Sequence, residues 1–345
     1  MKKLIVSILF LSLIVFCPAC KKDTDEYIVL GTTTVNLKDT VWEDESKLGS
    51  TTVILPTLNV EKLTTELSKI SENKTFEAEL GGKISTLDDV SVDIPANACV
   101  SKDNKPCKGK IDIEILYLRT KADLITNDKP TTSGGKLLIS GGVVYIVARQ
   151  NKEEVKIANG KSVKIRLKIN DNATPDPNMR FFEGKIEGRF KFDWVQVSGN
   201  NSPVVTPATW ADSVSRENKG YEILTDRFGW INCDKFHDEQ NLTNKFSVAL
   251  ADSFTNRNTS VFVVFKDINS VVKLEGNPGS KQFTIPNGYK GIPIGKAVTV
   301  VSISKFDDKS SMIDVQETTV TATSTVKMKP QRGSSDEIKK KIKDL

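Results

Sequence analysis

The sequence predicts a mainly β protein with two β-sandwich-like domains, one short helix on the N-terminal side and a short helix at the C-terminus. Three observations lead to this fold class. Apolar and polar residues alternate with a period of two in many short stretches, which is typical of strands with one face in a core. Clusters of Gly, Pro, Asn and Asp separate these stretches, as in β-sandwiches. The sequence lacks the alternation of strands and helices that would indicate a parallel sheet.

The N-terminus has the three parts of a secretory signal peptide. Met1–Lys3 is a short basic start, Leu4–Phe16 is almost entirely apolar, and the small residue Ala19 precedes Cys20. This arrangement is typical of a segment that directs export and is then removed. The apolar stretch is shorter than the roughly 20 residues that a membrane-spanning helix needs. We therefore expect residues 1–19 to be a signal peptide.

The residues at the cleavage site resemble the lipobox of bacterial lipoproteins. Ala19 and Cys20 match its last two positions, whereas Cys17 stands where the family prefers leucine. The resemblance implies a diacylglycerol on the Cys20 sulfur, cleavage just before this residue, and attachment to a membrane through the lipid. The alternative is an ordinary signal peptide that contains two cysteines.

The charged stretch Lys21–Glu26 is similar to the sorting signal of Bacteroidota-type surface lipoproteins. The resemblance implies a protein that is lipid-anchored in the outer membrane and exposed at the cell surface. The alternatives are a solvated tether without an address function and a location on the periplasmic face. We expect the tether and N-terminal segment to cover residues 20–58.

Two helices are predicted at the borders of the β regions. Asn59 is positioned to cap a helix that runs to about Ser71. The apolar face of this helix consists of Val60, Leu63, Leu67 and Ile70. At the other end of the chain, Ser334 and Glu337 form a capping-box pattern, which predicts a helix within residues 331–345.

The strands fall into two regions. The first domain is expected to cover residues 59–197, and its apolar stretch Val143–Ala148 predicts a strand covered on both faces. The alternation is clearest in residues 90–94, 111–117 and 163–169. Residues 198–220 are rich in Ser, Asn, Pro and Thr and are expected to be a linker. Residues 221–330 show further alternating stretches and form the predicted second β-sandwich-like domain.

Several short stretches resemble known sequences. Gly81-Gly82, followed by Ile94-Pro95-Ala96, is similar to the opening of ZU5-type β-sandwich domains, over about residues 76–170. This resemblance implies a β-sandwich that acts as a binding module. Other stretches resemble recurring signatures of uncharacterised Bacteroidota surface lipoproteins, which imply no activity: residues 133–142, 177–184, 192–194 and 228–234.

Three cysteines remain after processing. Cys17 leaves with the signal and Cys20 is acylated, which leaves Cys99, Cys107 and Cys233. Export permits disulfides, and Cys99 and Cys107 flank a polar loop between two strand-like segments, so that a bridge would close a hairpin. The alternative is two small residues that stay reduced. Cys233 has apolar neighbours, which favours a buried and inert thiol.

Composition and motifs exclude some classes of function. The net charge of +5 falls to +3 without Lys2 and Lys3, and basic residues are not concentrated on one element, so we expect no nucleic-acid partner.

His237 is the single histidine. With Cys233 it supplies only two of the three or four ligands that zinc needs. The loop 171–178 lacks the glycine and the terminal glutamate of an EF-hand. We therefore expect no metal and no cofactor.

These observations predict a non-catalytic binding or structural module at the cell envelope, with an unidentified protein or glycan partner. The sequence lacks the Gly-x-Ser-x-Gly setting of a hydrolase nucleophile, and the glycine-rich stretch 133–142 does not continue as a phosphate-binding loop. The alternatives are an envelope hydrolase that acts on glycan or peptide through paired carboxylates, and a passive scaffold of a surface complex.

Overall fold

The structure is a computed structural model, and it describes residues 41–44, 58–169, 173–187, 191–199, 202–211, 216–306 and 311–345. The expected signal peptide and the lipidation site Cys20 lie outside the described residues, as do Asp171 and Asn172. The predicted fold class is confirmed, because strands make up 52% of the described residues and helices only 9%.

The elements follow one another along the chain in the order α1 (Asn59–Leu67), β1 (Glu72–Glu77), β2 (Gly82–Ser85), β3 (Val90–Ile94), β4 (Cys99–Val100), β5 (Lys110–Leu118), α2 (Lys121–Thr126), β6 (Thr132–Ser133), β7 (Lys136–Gln150), β8 (Glu153–Glu154), β9 (Lys156–Ile157), β10 (Val163–Lys168), β11 (Arg180–Glu187), β12 (Lys191–Gln196), β13 (Val204–Ala211), β14 (Glu217–Thr225), β15 (Gly229–Phe236), β16 (Leu242–Thr243), β17 (Phe246–Ala249), β18 (Thr259–Phe265), β19 (Val271–Asn277), β20 (Gln282–Thr284), β21 (Ile292–Pro293), β22 (Ala297–Lys305), β23 (Ser311–Thr319), β24 (Ser324–Lys327), β25 (Gln331–Gly333) and α3 (Ser335–Lys343).

The first sandwich consists of two antiparallel sheets. The larger sheet has the strand order β1-β5-β7-β15-β11-β12, with β6 and β8 paired to β7, and the smaller sheet has the order β13-β14-β10-β3-β2. Their facing sides bury a core that includes Val92, Ile113, Ile146, Ile165 and Phe181. Most of these residues occupy the apolar positions of the predicted alternation, so the period of two does mark the face of each strand that turns inward.

The second unit is one continuous eight-stranded sheet, in the order β24-β17-β20-β19-β18-β22-β23-β25. Its central strand β18 is buried at every position. Val261 and Val263 face the core of this unit, whereas Phe262 and Val264 face the opposite way, toward the first sandwich. The two faces of β18 therefore belong to two different cores.

A shared core joins the two units. It lies between the outer face of the larger first sheet, the three helices and the outer face of the second sheet. Its members include Leu63, Leu67, Leu118, Leu124, Phe182, Trp194, Phe262, Val264, Ile303, Ile338 and Ile342. Because each unit covers apolar surface of the other, we expect the two units to unfold as one body.

The segment 198–220, expected to be a linker, contains strands instead. β13 pairs with β14 along its whole length, and β14 pairs in turn with β10 of the first sandwich. β13 is an edge strand with mostly exposed side chains, where Pro207 is tolerated because a missing N–H is not needed at an edge. The next strand, β15, lies inside the larger sheet, so the first sandwich extends to Phe236.

The two predicted helices are present, with corrected details. α1 begins at Asn59, and its cap is Leu58, whose backbone amide donates to Glu61 over 2.6 Å. The Asn59 side chain donates to the Phe306 carbonyl instead. α1 packs mainly on β18 and β22 of the second unit, although it was grouped with the first sandwich, which it meets in the shared core. The capping box of Ser334 and Glu337 at α3 is confirmed.

A short N-terminal clamp, Trp42 and Glu43, also packs against the second unit. The Trp42 ring lies 5.1 Å from that of Phe283. The Asn256 side chain accepts from the Glu43 amide and donates to the Glu43 carbonyl, both over 2.9 Å. Residues 41–44, which fall in the expected tether and N-terminal segment, thus include part of the folded body.

Candidate binding groove

A groove of about 440 Å³ opens on the larger sheet of the first sandwich. Its walls come from β7, from β11 with the loop before it, from the end of β12, and from the end of β15 with the residues that follow. The lining residues are Ile139, Asn178, Arg180, Phe182, Gln196, Lys235, Phe236, His237 and Asp238. This volume lies within the range of about 300–1,000 Å³ that is usual for small-ligand sites.

The floor of the groove is apolar. Phe182 is fully buried, and its ring lies 5.5 Å from that of Phe236, edge to face. Phe236 and Ile139 are half-buried. The register pairs Phe236 with Leu138 and Lys235 with Ile139, so that apolar residues of β7 and β15 lie beside one another at the floor.

The rim is polar, and two of its groups are free to bind a ligand. In the described part of the chain, the side-chain amide of Gln196 and the carboxylate of Asp238 have no hydrogen-bond or ion-pair partner in the protein, whereas the Asn178 side chain interacts with Asp176. All three lining residues are exposed. Together they offer N–H donors and oxygen acceptors above an aromatic floor.

Two lining residues are held by ion pairs. Lys235 Nζ lies 2.5 Å from Asp176 Oδ2, and its hydrogen bond is the main reason that the pKa of Asp176 is lowered. His237 Nε2 lies 3.1 Å from Glu239, which also contacts Lys296. Lys296 in turn pairs with Asp267, so this ionic chain connects the groove to the second unit.

Arg180 is fixed on one side only. Its Nη1 donates to the carbonyls of Pro177 and Met179 over 3.1 and 2.8 Å. Within the described ranges its Nε and Nη2 have no partner, and no carboxylate lies within 4 Å of the guanidinium. Lys136 likewise has no ion pair among these residues, and its Nζ lies 5.1 Å from the centre of the Phe236 ring. Asp238 is the one carboxylate of the lining, and it has no partner among the described residues.

A buried polar cluster lies beside the groove at a β-bulge between β7 and β15. Asp234, the register partner of Arg180, is fully buried and accepts from the Asn232 side chain over 2.6 Å. Burial raises the pKa of Asp234 to about 8, although hydrogen bonds from Ser140, Asn232 and the Gly141 backbone oppose this effect. Asp234 is therefore mainly uncharged at neutral pH and does not neutralise Arg180.

An aromatic cluster covers the same sheet further along. Trp230 lies 4.7 Å from Tyr145 and 6.0 Å from Phe192, measured between ring centres. The ammonium of Lys129 lies 4.5 and 4.7 Å from the centres of Phe192 and Trp230. Burial lowers the pKa of Lys129 to about 8, whereas the two ring faces favour the charged form. The T-shaped contacts and the covering lysine make this cluster part of the packing.

The lipoprotein-like signatures converge on this sheet. A Cβ at Gly184 would lie 2.6 Å from Phe192 and from Trp230, so glycine is required beneath the aromatic cluster. A Cβ at Gly141 would likewise lie too close to the Cys233 carbonyl oxygen, at 2.9 Å. The sequence analysis noted these stretches but did not predict the groove, because its residues come from four separate segments.

The other candidate residues lie elsewhere. Cys99 and Cys107 are buried free thiols in the structure; the Cys107 amide donates to the Cys99 carbonyl over 3.0 Å. Cys233 is buried in the first core, and burial raises its pKa well above the usual value. His237 lines the groove instead, so the structure does not bring these two residues together. Asp176 caps a turn at Asn178, as turn chemistry predicts.

No helix among the described residues is long and apolar enough to cross a membrane. No group of three or more His, Cys, Asp or Glu side chains in the same ranges is arranged to hold a metal ion.

Comparison with known proteins gives no relative from which a function could be transferred. No family model, no curated protein and no solved structure matches this chain. The resemblances to lipoproteins and to ZU5 domains therefore stay at the level of the short motifs quoted above.

Proposed function

We propose that this chain is a lipid-anchored cell-envelope protein that binds a glycan in the groove. The observation that carries the proposal is a polar rim above an aromatic floor, in which Gln196 and Asp238 have no partner among the described residues. Asn178, Gln196 and Asp238 supply donors and acceptors for sugar hydroxyls, while the half-buried Phe236, supported from below by the buried Phe182, supplies an apolar surface for the C–H face of a sugar ring.

The size of the groove favours a glycan over a folded protein partner. A stable protein interface buries about 800 Å² on each partner, whereas this site is a cavity of about 440 Å³. The site suits one or a few sugar rings. Protein binding elsewhere on the surface, as implied by the ZU5-like motif, is the competing proposal.

Binding can be tested with the mature lipidated chain in detergent micelles, on a glycan array followed by calorimetry. The double variant Asn178→Ala/Gln196→Ala should weaken binding at least tenfold. Asn287→Ala, which removes an exposed amide of the second unit, should leave the affinity unchanged. Equal affinities for all three proteins would contradict the proposed site. Appearance of cleaved glycan in the same samples would favour the envelope hydrolase, and the absence of any bound glycan would favour the scaffold.

The anchor is a separate part of the proposal and rests on the N-terminal motifs. Cys20→Ser should move the protein from the membrane fraction to the soluble fraction, because a diacylglycerol provides most of the membrane affinity. Cys17→Ser, in which the lipidated cysteine is kept, should stay in the membrane fraction. Proteolysis of intact cells then distinguishes the two faces, since only a surface-exposed chain is degraded before the outer membrane is broken.

A further inference from the structure

The charges around the groove suggest which kind of glycan it takes. Among the cations of the lining and its neighbours, Lys235 is already paired with Asp176. Arg180 and Lys136 have no acidic partner within 4 Å in the part of the chain that the structure describes. A small site with more free cations than free carboxylates has a positive potential and attracts anions.

Arg180 is oriented for a planar anion. Its Nη1 is occupied by the carbonyls of Pro177 and Met179, which restrains the guanidinium. The remaining edge, Nε and Nη2, has the spacing that carboxylate and sulfate oxygens match in two parallel hydrogen bonds. Because the side chain is already held in place, less conformational freedom is lost when an anion binds.

The neighbouring acid does not compete for this edge. The strand register places Asp234 opposite Arg180, yet no ion pair forms between them within 4 Å. The Asp234 carboxyl is turned into the polar cluster, where Asn232 donates to it. Asp238, the one lining carboxylate without a partner in the described residues, is exposed.

We propose that the groove selects an acidic sugar, a uronate or a sulfated sugar, and that Arg180 receives its anionic group through the Nε and Nη2 edge. This inference rests on the proposed function, because it specifies the glycan. Lys136, whose ammonium lies 5.1 Å from the centre of the Phe236 ring, adds a second positive charge beside the floor.

The test compares matched sugars: glucuronate and galacturonate oligosaccharides, their O-sulfated neutral parents, and the neutral parents themselves. Calorimetry with the lipidated chain in micelles should show at least tenfold tighter binding of an acidic form than of its parent, with a preference that weakens as salt is added. Arg180→Gln should bring the ratio of acidic to neutral affinity close to one. Arg180→Lys should keep part of the preference, because lysine retains the charge but cannot donate two parallel hydrogen bonds from one planar group.

The control is Lys185→Gln, which removes an exposed cation of the same strand outside the groove and should leave the ratio unchanged. Thermal unfolding of each variant checks that the fold is intact. Equal binding of acidic and neutral sugars by the unmodified protein, or an unchanged ratio in Arg180→Gln, would overturn this inference alone. Failure of acidic and neutral sugars alike would overturn the proposed glycan function together with it.

Discussion

Arg257 and Glu43 form a buried ion pair between positions 214 residues apart in the chain, with 3.2 Å between Nη1 and Oε2. Their side chains are only 1% and 7% exposed. The pair joins the N-terminal clamp to the start of β18, next to the point where the Arg257 carbonyl accepts the amide of Val60 in α1. One arginine therefore contacts both N-terminal elements that pack on the second unit.

Removal of the Glu43 carboxylate should destabilise the protein strongly. In Glu43→Ala the buried guanidinium loses its counter-charge, and breaking a buried pair in this way costs about 3–5 kcal/mol. Denaturant unfolding measures the change. The matched control is Glu153→Ala, which breaks an exposed pair with Lys102 and should cost less than about 1 kcal/mol. Equal effects of the two substitutions would show that the clamp contributes little to the stability of the fold.

Gly184→Ala should disrupt the aromatic cluster. The added methyl group would overlap Phe192 and Trp230 at 2.6 Å, and overpacking of this kind costs about 1–3 kcal/mol. Thermal unfolding and tryptophan fluorescence report the change. Gly82→Ala is the control, because a Cβ there meets only Phe76 at 3.6 Å. If both variants unfold at the same temperature as the parent, the cluster is more adaptable than its contacts indicate.

Under the proposed export, Cys99 and Cys107 should form a disulfide. The backbone hydrogen bond from the Cys107 amide to the Cys99 carbonyl and the antiparallel β-bridge between Val100 and Pro106 place the two cysteines directly opposite each other. Such partners have Cα atoms about 5.5 Å apart, within the range of about 4.4–6.8 Å that a disulfide spans. Closing so short a loop should stabilise the fold by about 2–3 kcal/mol.

Peptide mapping without reduction checks this pairing. The expected result is one cross-linked species containing Cys99 and Cys107, with Cys233 alkylated only after unfolding. Because burial raises the pKa of Cys99 to about 12, the reactive thiolate is scarce in the folded protein. The bridge should therefore form during folding and only slowly when the reduced folded protein is exposed to oxidant. Two free thiols in protein isolated from the envelope would contradict the prediction.

Stability should decrease as the pH rises, because of Asp234. Its pKa is raised from its ordinary value near 4 to about 8 by burial, so between these pH values the folded state holds a proton that the unfolded state has released. Unfolding is then favoured by higher pH, by at most about 1.4 kcal/mol per pH unit. The stabilising contribution is fully present below about pH 4 and is lost as the pH passes 8.

The variant Asp234→Asn isolates this contribution. It should flatten the pH dependence of the unfolding free energy and should be more stable than the parent at pH 9, since the amide carries no charge into the core. Asp252→Asn, at an exposed position, should follow the parent curve. Identical curves for parent and Asp234→Asn would mean that the carboxyl is ionised in the fold.

The sequence predicted those parts of the fold that depend on local patterns. The alternation in residues 90–94, 111–117 and 163–169 corresponds to β3, β5 and β10, and the capping box at Ser334 begins α3. It did not predict β13, because an exposed edge strand with a proline lacks an alternating apolar face. α1 ends at Leu67, and Ile70, expected on its apolar face, is 89% exposed.

The groove and the shared core could not be predicted, because they depend on contacts between distant segments. Arg180 and Asp238 lie far apart in the sequence. They line the same groove only because β15 inserts between β7 and β11. The polar composition around Asn178 indicated a turn, which is correct, but it did not indicate that the turn borders a cavity. Long-range pairing of this kind leaves no signal in a window of ten residues.

The N-terminal clamp has a mechanical consequence. Under the proposed anchoring, the chain between Cys20 and Val41 connects the lipid to the folded body. A fully extended chain of this length spans at most about 70 Å. Any force on the lipid enters the folded body at Trp42 and Glu43, where it meets the ring of Phe283 and the guanidinium of Arg257. The second unit is therefore loaded first, and the force reaches the groove-bearing sandwich only through the shared core. Pulling on the anchor would strain the clamp before it strains the groove.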